Sequence, residues 1–224
     1  MTVLRPRILA HRGASGQAPE NSLLAFQKAR ALGADGVELD IHATSDGVLV
    51  VHHDAEIPGT GPIRSLPYHR LQGVRLPNGE ALPTLEAALA VLAGLEVWIE
   101  VKYLPPERDG TLLTLLDRED PSRVGVHSFD HRIVSRLGGA RPGLRRGILS
   151  ASYPLDLTGP MRAAGARWLW QEWHLIDPEL VAAVHRTGGE VIAWTVPDAP
   201  EARQLAALGV DALCGNFPDR LRLD

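Results

Sequence analysis

Apolar residues along the chain fall into short runs that switch between two periods. Residues 7–12, 36–43, 97–102, 124–129, 146–150, 168–172, 191–196 and 211–215 are short and rich in β-branched, aliphatic or aromatic side chains, and they predict strands. Between them, residues 22–32, 84–92, 110–116, 130–137, 159–164, 178–186 and 199–208 predict helices. Asn21 or Ser22 offers a cap for the first helix, and Gly33 a stop. Asp177-Pro178 reads as a cap followed by the first helical residue, and Gly188-Gly189 as that helix's end. Regular strand–helix alternation implies a parallel sheet. Eight such strands with helices between them predict an α/β fold closed as a (β/α)8 TIM barrel. A doubly wound open sheet is the competing architecture, but no Gly-x-Gly-x-x-Gly turn follows the first strand.

One apolar run breaks the alternation. Residues 48–53 follow 36–43 after only Thr44-Ser45-Asp46-Gly47, too few for a parallel crossover. Asp46-Gly47 is a favoured two-residue hairpin turn. With that turn, opposed residues sum to 93, so Asp40 faces His53 and Glu38 faces Ala55, while His52 points away with Ile41. The run is therefore expected to form a hairpin arm above the barrel. A short insertion, 55–82, follows it.

The even positions of 36–43 carry the first chemistry. In Val37-Glu38-Leu39-Asp40-Ile41 the alternation places both carboxylates on one strand face and the aliphatics on the other. Trp98-Ile99-Glu100-Val101-Lys102 repeats the pattern and puts Glu100 and Lys102 on the inner face near a strand's carboxyl end, where barrel enzymes keep their active sites. Glu38, Asp40 and Glu100 make a hard oxygen site suited to Mg²⁺ or Ca²⁺, with Mn²⁺ as a further candidate. No Cys/His spacing suits zinc. The bland alternative is a set of salt bridges with Arg12 and Lys102, but three acids need more neutralisation than two bases supply. His11 ends the first strand and His53 the hairpin arm, so both imidazoles are candidates for general acid–base work. Arg12 and Lys102 are candidates for holding phosphoryl oxygens. Of the other histidines, His127 is the next candidate, at a strand end before Ser128-Phe129. For Glu20-Asn21, helix capping competes with orientation of Arg12.

Composition narrows the setting. The 224 residues show no linker, charge block or low-complexity tract, so one domain, 1–224, is expected. A net charge of -4 argues against a nucleic-acid surface. The single Cys214 excludes an intrachain disulfide and fits a reducing compartment. The short basic stretch 1–7 lacks the apolar core of a secretory signal, and no apolar run is long enough to span a bilayer. These features lead to an expectation of a cytoplasmic protein.

The order of the short motifs carries a resemblance. His11-Arg12-Gly13, Pro19-Glu20-Asn21-Ser22, Glu38-Leu39-Asp40, His53-Asp54, Glu100-Val101-Lys102 and Trp194-Thr195-Val196 resemble the glycerophosphodiester phosphodiesterase family. The resemblance implies a phospholipase C-like (β/α)8 barrel that hydrolyses glycerophosphodiesters to glycerol 3-phosphate and an alcohol. It implies one divalent cation on Glu38, Asp40 and Glu100. It matches His11 and His53 to the acid–base pair of a two-step reaction through a cyclic phosphate, and Arg12 and Lys102 to phosphate contacts. Lipid and glycerol metabolism is the implied context, with a small-molecule substrate and a monomer or homodimer as the assembly. Trp194, with Trp170 and Trp173, is expected to wall the substrate pocket, where aromatic faces suit a choline-like cation. The chain departs from the family at Pro197 and at Gly215-Asn216, where Thr-Asp is frequent, and in lacking an Arg soon after His-Asp; these changes are expected at the rim. Competing readings are a metal-dependent aldolase or lyase, a binding protein on the same barrel, and a lipid-directed toxin of the same group. Activity on glycerophosphocholine but not on oxo-acids separates the first from the resemblance.

Overall fold

The computed structural model describes residues 5–223, so 1–4 of the basic N-terminal stretch lie outside the described residues. In chain order the elements are β1 (Arg7–His11), α1 (Leu23–Ala31), β2 (Gly36–Ala43), β3 (Leu49–Val51), β4 (Glu56–Ile57), β5 (Gly61–Pro62), α2 (Leu85–Val91), β6 (Glu96–Tyr103), α3 (Asp109–Leu116), β7 (Val124–Ser128), α4 (His131–Ala140), β8 (Arg145–Ser150), α5 (Gly159–Ala164), β9 (Trp168–Glu172), α6 (Pro178–Arg186), β10 (Glu190–Trp194), α7 (Ala199–Leu208) and β11 (Ala212–Gly215). Strands β1, β2, β6, β7, β8, β9, β10 and β11 pair in parallel in that order, and β11 pairs with β1 to close the barrel. The fold is thus the (β/α)8 barrel the alternation predicts. Ser22 caps α1 by accepting from Ala25 N–H, and Asp177 caps α6 by accepting from Leu180 N–H.

The barrel interior is filled by Leu9, Trp98, Leu149, Trp168, Trp170, Ile192, Ala212 and Cys214. The outward residues Val37, Leu39, Ile41, Val97, Ile99 and Val101 pack beneath α1, α2 and α3. Three indoles inside one eight-stranded barrel need compensating small residues. Gly125 supplies one: a Cβ there would stand 2.7 Å from the Trp98 ring. Below the indoles, Arg7 and Arg145 bridge Glu96, and Arg7 also pairs with Glu190, which closes the amino-terminal end with ion pairs.

Strand β2 is longer than its neighbour. Its first half pairs with β1 as far as His11↔Glu38, and its second half pairs antiparallel with β3. The hairpin arm therefore takes over the strand edge where β1 leaves it, which extends the wall above the barrel mouth. The register differs from the expectation by one residue: Ile41 pairs with Val51 and His42 with Val50, so opposed residues sum to 92. Thr44 N–H donates to Val48 O, and the loop is the three residues Ser45-Asp46-Gly47, with Gly47 at φ 91. A type I turn followed by a left-handed glycine explains the shift. Asp46 is occupied elsewhere, accepting from Thr44 Oγ1 and from Tyr68 N–H.

Candidate active site

Residues at the carboxyl ends of β1, β2, β6, β7 and β10 meet in one open cavity. It is lined by His11, Arg12, Glu38, His53, Glu100, Lys102, His127, Phe129, Leu149, Trp170 and Trp194. Each charged member arrives there for a local reason. Arg12 and Gly13 leave β1 in left-handed backbone, at φ 56 and φ 79, and a Cβ on Gly13 would meet the Ala25 backbone at 2.7 Å. Only glycine allows that turn to press against α1. It throws the Arg12 side chain back over the barrel mouth. Asn21, also left-handed at φ 57, sends its side chain to β2, where it donates to Asp40 Oδ2 at 2.8 Å and accepts from Asp40 N–H. Glu20 accepts from Arg12 Nη1 at 2.9 Å, so it orients the guanidinium, while the helix cap itself is Ser22.

The three predicted carboxylates do converge. Glu38, Asp40 and Glu100 each offer an oxygen within 4.8 Å of the others, and all three are buried. Two bases reach them. Arg12 Nε lies 3.1 Å from Asp40 Oδ2, and Lys102 Nζ lies 3.2 Å from Asp40 Oδ1 and 2.7 Å from Glu100 Oε1. Glu38 receives only the Arg12 backbone N–H, at 3.0 Å. The salt-bridge alternative is therefore half true, and it leaves one carboxylate without a base. The electrostatics follow. Burial alone would raise the Asp40 carboxyl, but Lys102 and Arg12 outweigh it and hold it below the ordinary carboxylate value. Burial, with Asp40 adding repulsion, pushes Glu100 up to about 7. Burial, with Asp40 and Glu100, pushes Glu38 well above the usual value. An all-oxygen cluster with a deficit of positive charge fits a divalent cation, and the residues present suit one.

The two predicted histidines lie on the same cavity. His11 Nδ1 donates to Asn216 Oδ1 at 2.7 Å, which leaves Nε2 unprotonated on the side of Glu38, 4.0 Å from Oε2. Burial, with the Arg12 charge next, lowers His11 to about 4. Ser15 Oγ also donates to Asn216 Oδ1, at 3.1 Å. Asn216 is therefore not a rim residue, as its departure from the family pattern suggested. It sits behind a candidate catalytic ring. His53 reaches the cavity although the hairpin register is shifted, because β3 ends at Val51 and the chain bends at His53. His42 Nε2 lies 3.1 Å from His53 O and pins that bend. His53 Nδ1 donates to Asp54 Oδ1 at 2.8 Å, so its Nε2 remains for the cavity. His52 does not line it.

Other expected residues divide. Trp194 and Trp170 line the cavity, whereas Trp173 stacks on His174 outside it, with ring centroids 3.5 Å apart. Trp168 is core. Phe129, 48% exposed, meets Trp194 edge to face at the mouth and had not been singled out. Asn21, His42, Asp54 and Asn216, which hold the site residues in place, were also missed as such. His127 is buried on the cavity floor, and burial lowers its pKa well below the histidine norm. Among the described residues no helix is long and apolar enough to cross a membrane.

Comparison with known proteins gives a consistent result. Residues 11–220 match the glycerophosphoryl diester phosphodiesterase family model. A glycerophosphodiester phosphodiesterase of Caldanaerobacter subterraneus subsp. tengcongensis is 28% identical over 238 residues, covering 97% of each chain. A glycerophosphodiester phosphodiesterase of Bacillus altitudinis is 27% identical, covering 96% of each. Among solved structures, a Parabacteroides distasonis glycerophosphodiester phosphodiesterase superposes with TM-score 0.87 at 26% identity, covering 97% of this chain and 95% of that one. An Oleispira antarctica phosphodiesterase, solved with the product sn-glycerol-3-phosphate, has TM-score 0.87 and 26% identity, covering 96% of this chain and 95% of that one.

Proposed function

The chain belongs to the glycerophosphoryl diester phosphodiesterase family and is a phosphoric diester hydrolase, and we propose that it converts glycerophosphodiesters to glycerol 3-phosphate and an alcohol by acid–base catalysis between His11 and His53. The observation that carries this reading is that two imidazoles, each tethered through Nδ1, line a single cavity with Arg12, Lys102, Glu38 and Glu100, the last two clustered with Asp40. The whole chain, 1–224, serves as one catalytic domain.

Glu38, Asp40 and Glu100 would hold one divalent cation, Mg²⁺, Ca²⁺ or Mn²⁺. When bound, such an ion supplies Lewis acidity toward a hydroxyl and charge neutralisation at phosphoryl oxygens. The remaining work falls to side chains. Arg12 and Lys102 are positioned to bind the non-bridging phosphoryl oxygens, and Glu20 and Asn21 keep Arg12 and Asp40 aligned for it. Trp194 packs against the bound diester. His11 Nε2 is the base: neutral at physiological pH, it accepts the proton of the substrate's adjacent glycerol hydroxyl as that oxygen attacks phosphorus. The hydroxyl is tethered next to the phosphorus, so the attack gains effective molarity. His53 is the acid. Asp54 on its Nδ1 balances the charge of the protonated ring, and Nε2 gives its proton to the leaving alkoxide as the phosphorus–oxygen bond breaks. The resulting cyclic phosphate is opened by the reverse exchange. His53, now neutral, takes a proton from water while water oxygen bonds to phosphorus. Protonated His11 returns its proton to the glycerol oxygen.

The test is a product assay with glycerophosphocholine, glycerophosphoethanolamine and glycerophosphoglycerol, each run with Mg²⁺, Ca²⁺, Mn²⁺ and with chelator. Glycerol 3-phosphate should appear, should depend on a cation, and should form at least about a hundredfold more slowly in His53→Ala. Release that persists in excess chelator removes the cation from the reaction. No release from any diester overturns the proposal.

A further inference from the structure

His11 serves as a base only while its proton sits on the right ring nitrogen. Nε2 is free to accept because Nδ1 donates to Asn216 Oδ1 at 2.7 Å. Asn216 alone does not guarantee that choice. A carboxamide has one end that only accepts and one that only donates, and the two ends have nearly the same shape. Turned by half a revolution, Asn216 would present its NH2 group to His11 Nδ1. The ring proton would then sit on Nε2, and the base would be lost. A neighbour has to hold the oxygen toward His11.

The loop after β1 supplies that neighbour. Gly16 N–H donates to Asn216 O at 3.0 Å, and a Cβ on Gly16 would run into the Phe217 ring, so the loop lies flat against the end of β11. This brings Ser15 Oγ to 3.1 Å from Asn216 Oδ1 and 2.8 Å from His11 O. Besides His11 Nδ1, Ser15 Oγ is the one donor among the described residues within hydrogen-bonding distance of Asn216 Oδ1. We propose that Ser15 is a positioning residue of the reaction: its hydroxyl donates to Asn216 Oδ1, keeps the carboxamide oxygen turned to His11, and so selects the tautomer whose Nε2 takes the glycerol proton. Ser15 does not line the cavity, so it acts only through Asn216 and His11. The His11 carbonyl competes for the same proton. A hydroxyl committed to that carbonyl would offer Asn216 a lone pair instead and favour the opposite orientation, so the two cases predict opposite effects of removing it. This assignment rests on the reading of His11 as the base.

The experiment uses the full chain with Mg²⁺, labelled with ¹⁵N at histidine and held at ~pH 8.5, where the ring is neutral. The protonated and bare nitrogens of a neutral imidazole have well-separated ¹⁵N shifts, and the signals lost in His11→Gln assign the ring. Native His11 should carry its proton on Nδ1. In Ser15→Ala the Nε2-protonated form should appear, kcat on glycerophosphocholine should fall about 3–10-fold, and KM should stay within about twofold. Ser15→Gly, which also lacks the hydroxyl, serves the same comparison where the Ala variant does not fold. A carboxylate has no donor end, so in an Asn216→Asp background Ser15→Ala should leave the tautomer alone and change kcat by less than about twofold. A ring that keeps its proton on Nδ1 in Ser15→Ala, or an equal loss of kcat in both backgrounds, overturns the proposal. His11→Gln separates the two levels. If it turns over glycerophosphocholine as the native chain does, the base itself is wrong. If it is inactive while Ser15→Ala changes neither tautomer nor kcat, only the role of Ser15 is wrong.

Discussion

Replacing Glu100 by Gln should stabilise the cation-free protein, and by more as pH rises. The Glu100 carboxyl is raised from 4.5 to about 7, first by burial and then by Asp40, with Lys102 opposing. A raised folded-state value means that the fold binds the proton more tightly than the unfolded chain does. The stability this contributes is complete below about pH 4.5 and is lost as pH rises through 7. At ~1.4 kcal/mol per pH unit, the loss amounts to about 3 kcal/mol. Glu100 is 6% exposed, so solvent screening takes little from that figure. A pH scan of the native protein alone would hide the effect. His11 is lowered to about 4, so protonating it costs the fold stability as pH falls below 6.5, and this opposes Glu100 over nearly the same window. The difference between native and Glu100→Gln cancels the histidine contribution. Glu38 adds in the same direction, because Glu100 is one of the charges that raise it.

The assay is urea unfolding of both proteins in chelator at intervals from pH 4.5 to 7.5. The variant should gain about 3 kcal/mol on the native chain across that range, or ~6–12 °C in Tm for a domain of this size. Saturating Mn²⁺ at pH 7.5 should reverse the order, because only the native carboxylate holds the ion. A difference that stays within about 1 kcal/mol from pH 4.5 to 7.5 would mean that Glu100 titrates as an ordinary solvated carboxyl, and the account of an electrostatically strained acidic cluster would fall.

Four further substitutions probe the site and the barrel core beneath it. His53→Ala should lower kcat by about 10²–10⁴ with little change in Tm, whereas His52→Ala should stay within about threefold of native; the reverse order would show that the bend after β3 presents the wrong ring. Asn216→Asp places a carboxylate on His11 Nδ1, so His11 should rise from about 4 and the acid limb of kcat/KM should move up by more than one pH unit; an unmoved limb would mean that His11 does not set it. Gly125→Ala brings a Cβ to 2.7 Å from the Trp98 ring and should cost about 1–3 kcal/mol in urea unfolding, whereas unchanged stability would show that the indole has room to yield.

How far a residue's role could be read from sequence depended on how local its cause was. Glu38, Asp40 and Glu100 were legible because alternation on a strand fixes the face, and the aliphatic partners at odd positions fix which face is inward. The same parity on β7, where Gly125 points inward at Trp98, would have placed His127 inside as well. The hairpin arm was legible from the shortness of its loop, but its register was not. Asp46-Gly47 suits a two-residue turn, yet here Asp46 caps Thr44 and Tyr68, and Gly47 takes the left-handed end of a three-residue loop. A one-residue slip should have turned His53 away from the cavity. It did not, because the face rule stops applying where the strand stops, and His42 holds the chain in a bend that no periodicity encodes. Asn216 was misplaced for the opposite reason: its contact with His11 spans 205 residues and exists only because β11 closes onto β1. Barrel closure is the step at which sequence order ceases to indicate neighbourhood. The partner that fixes the tautomer of the proposed base therefore comes from the other end of the chain.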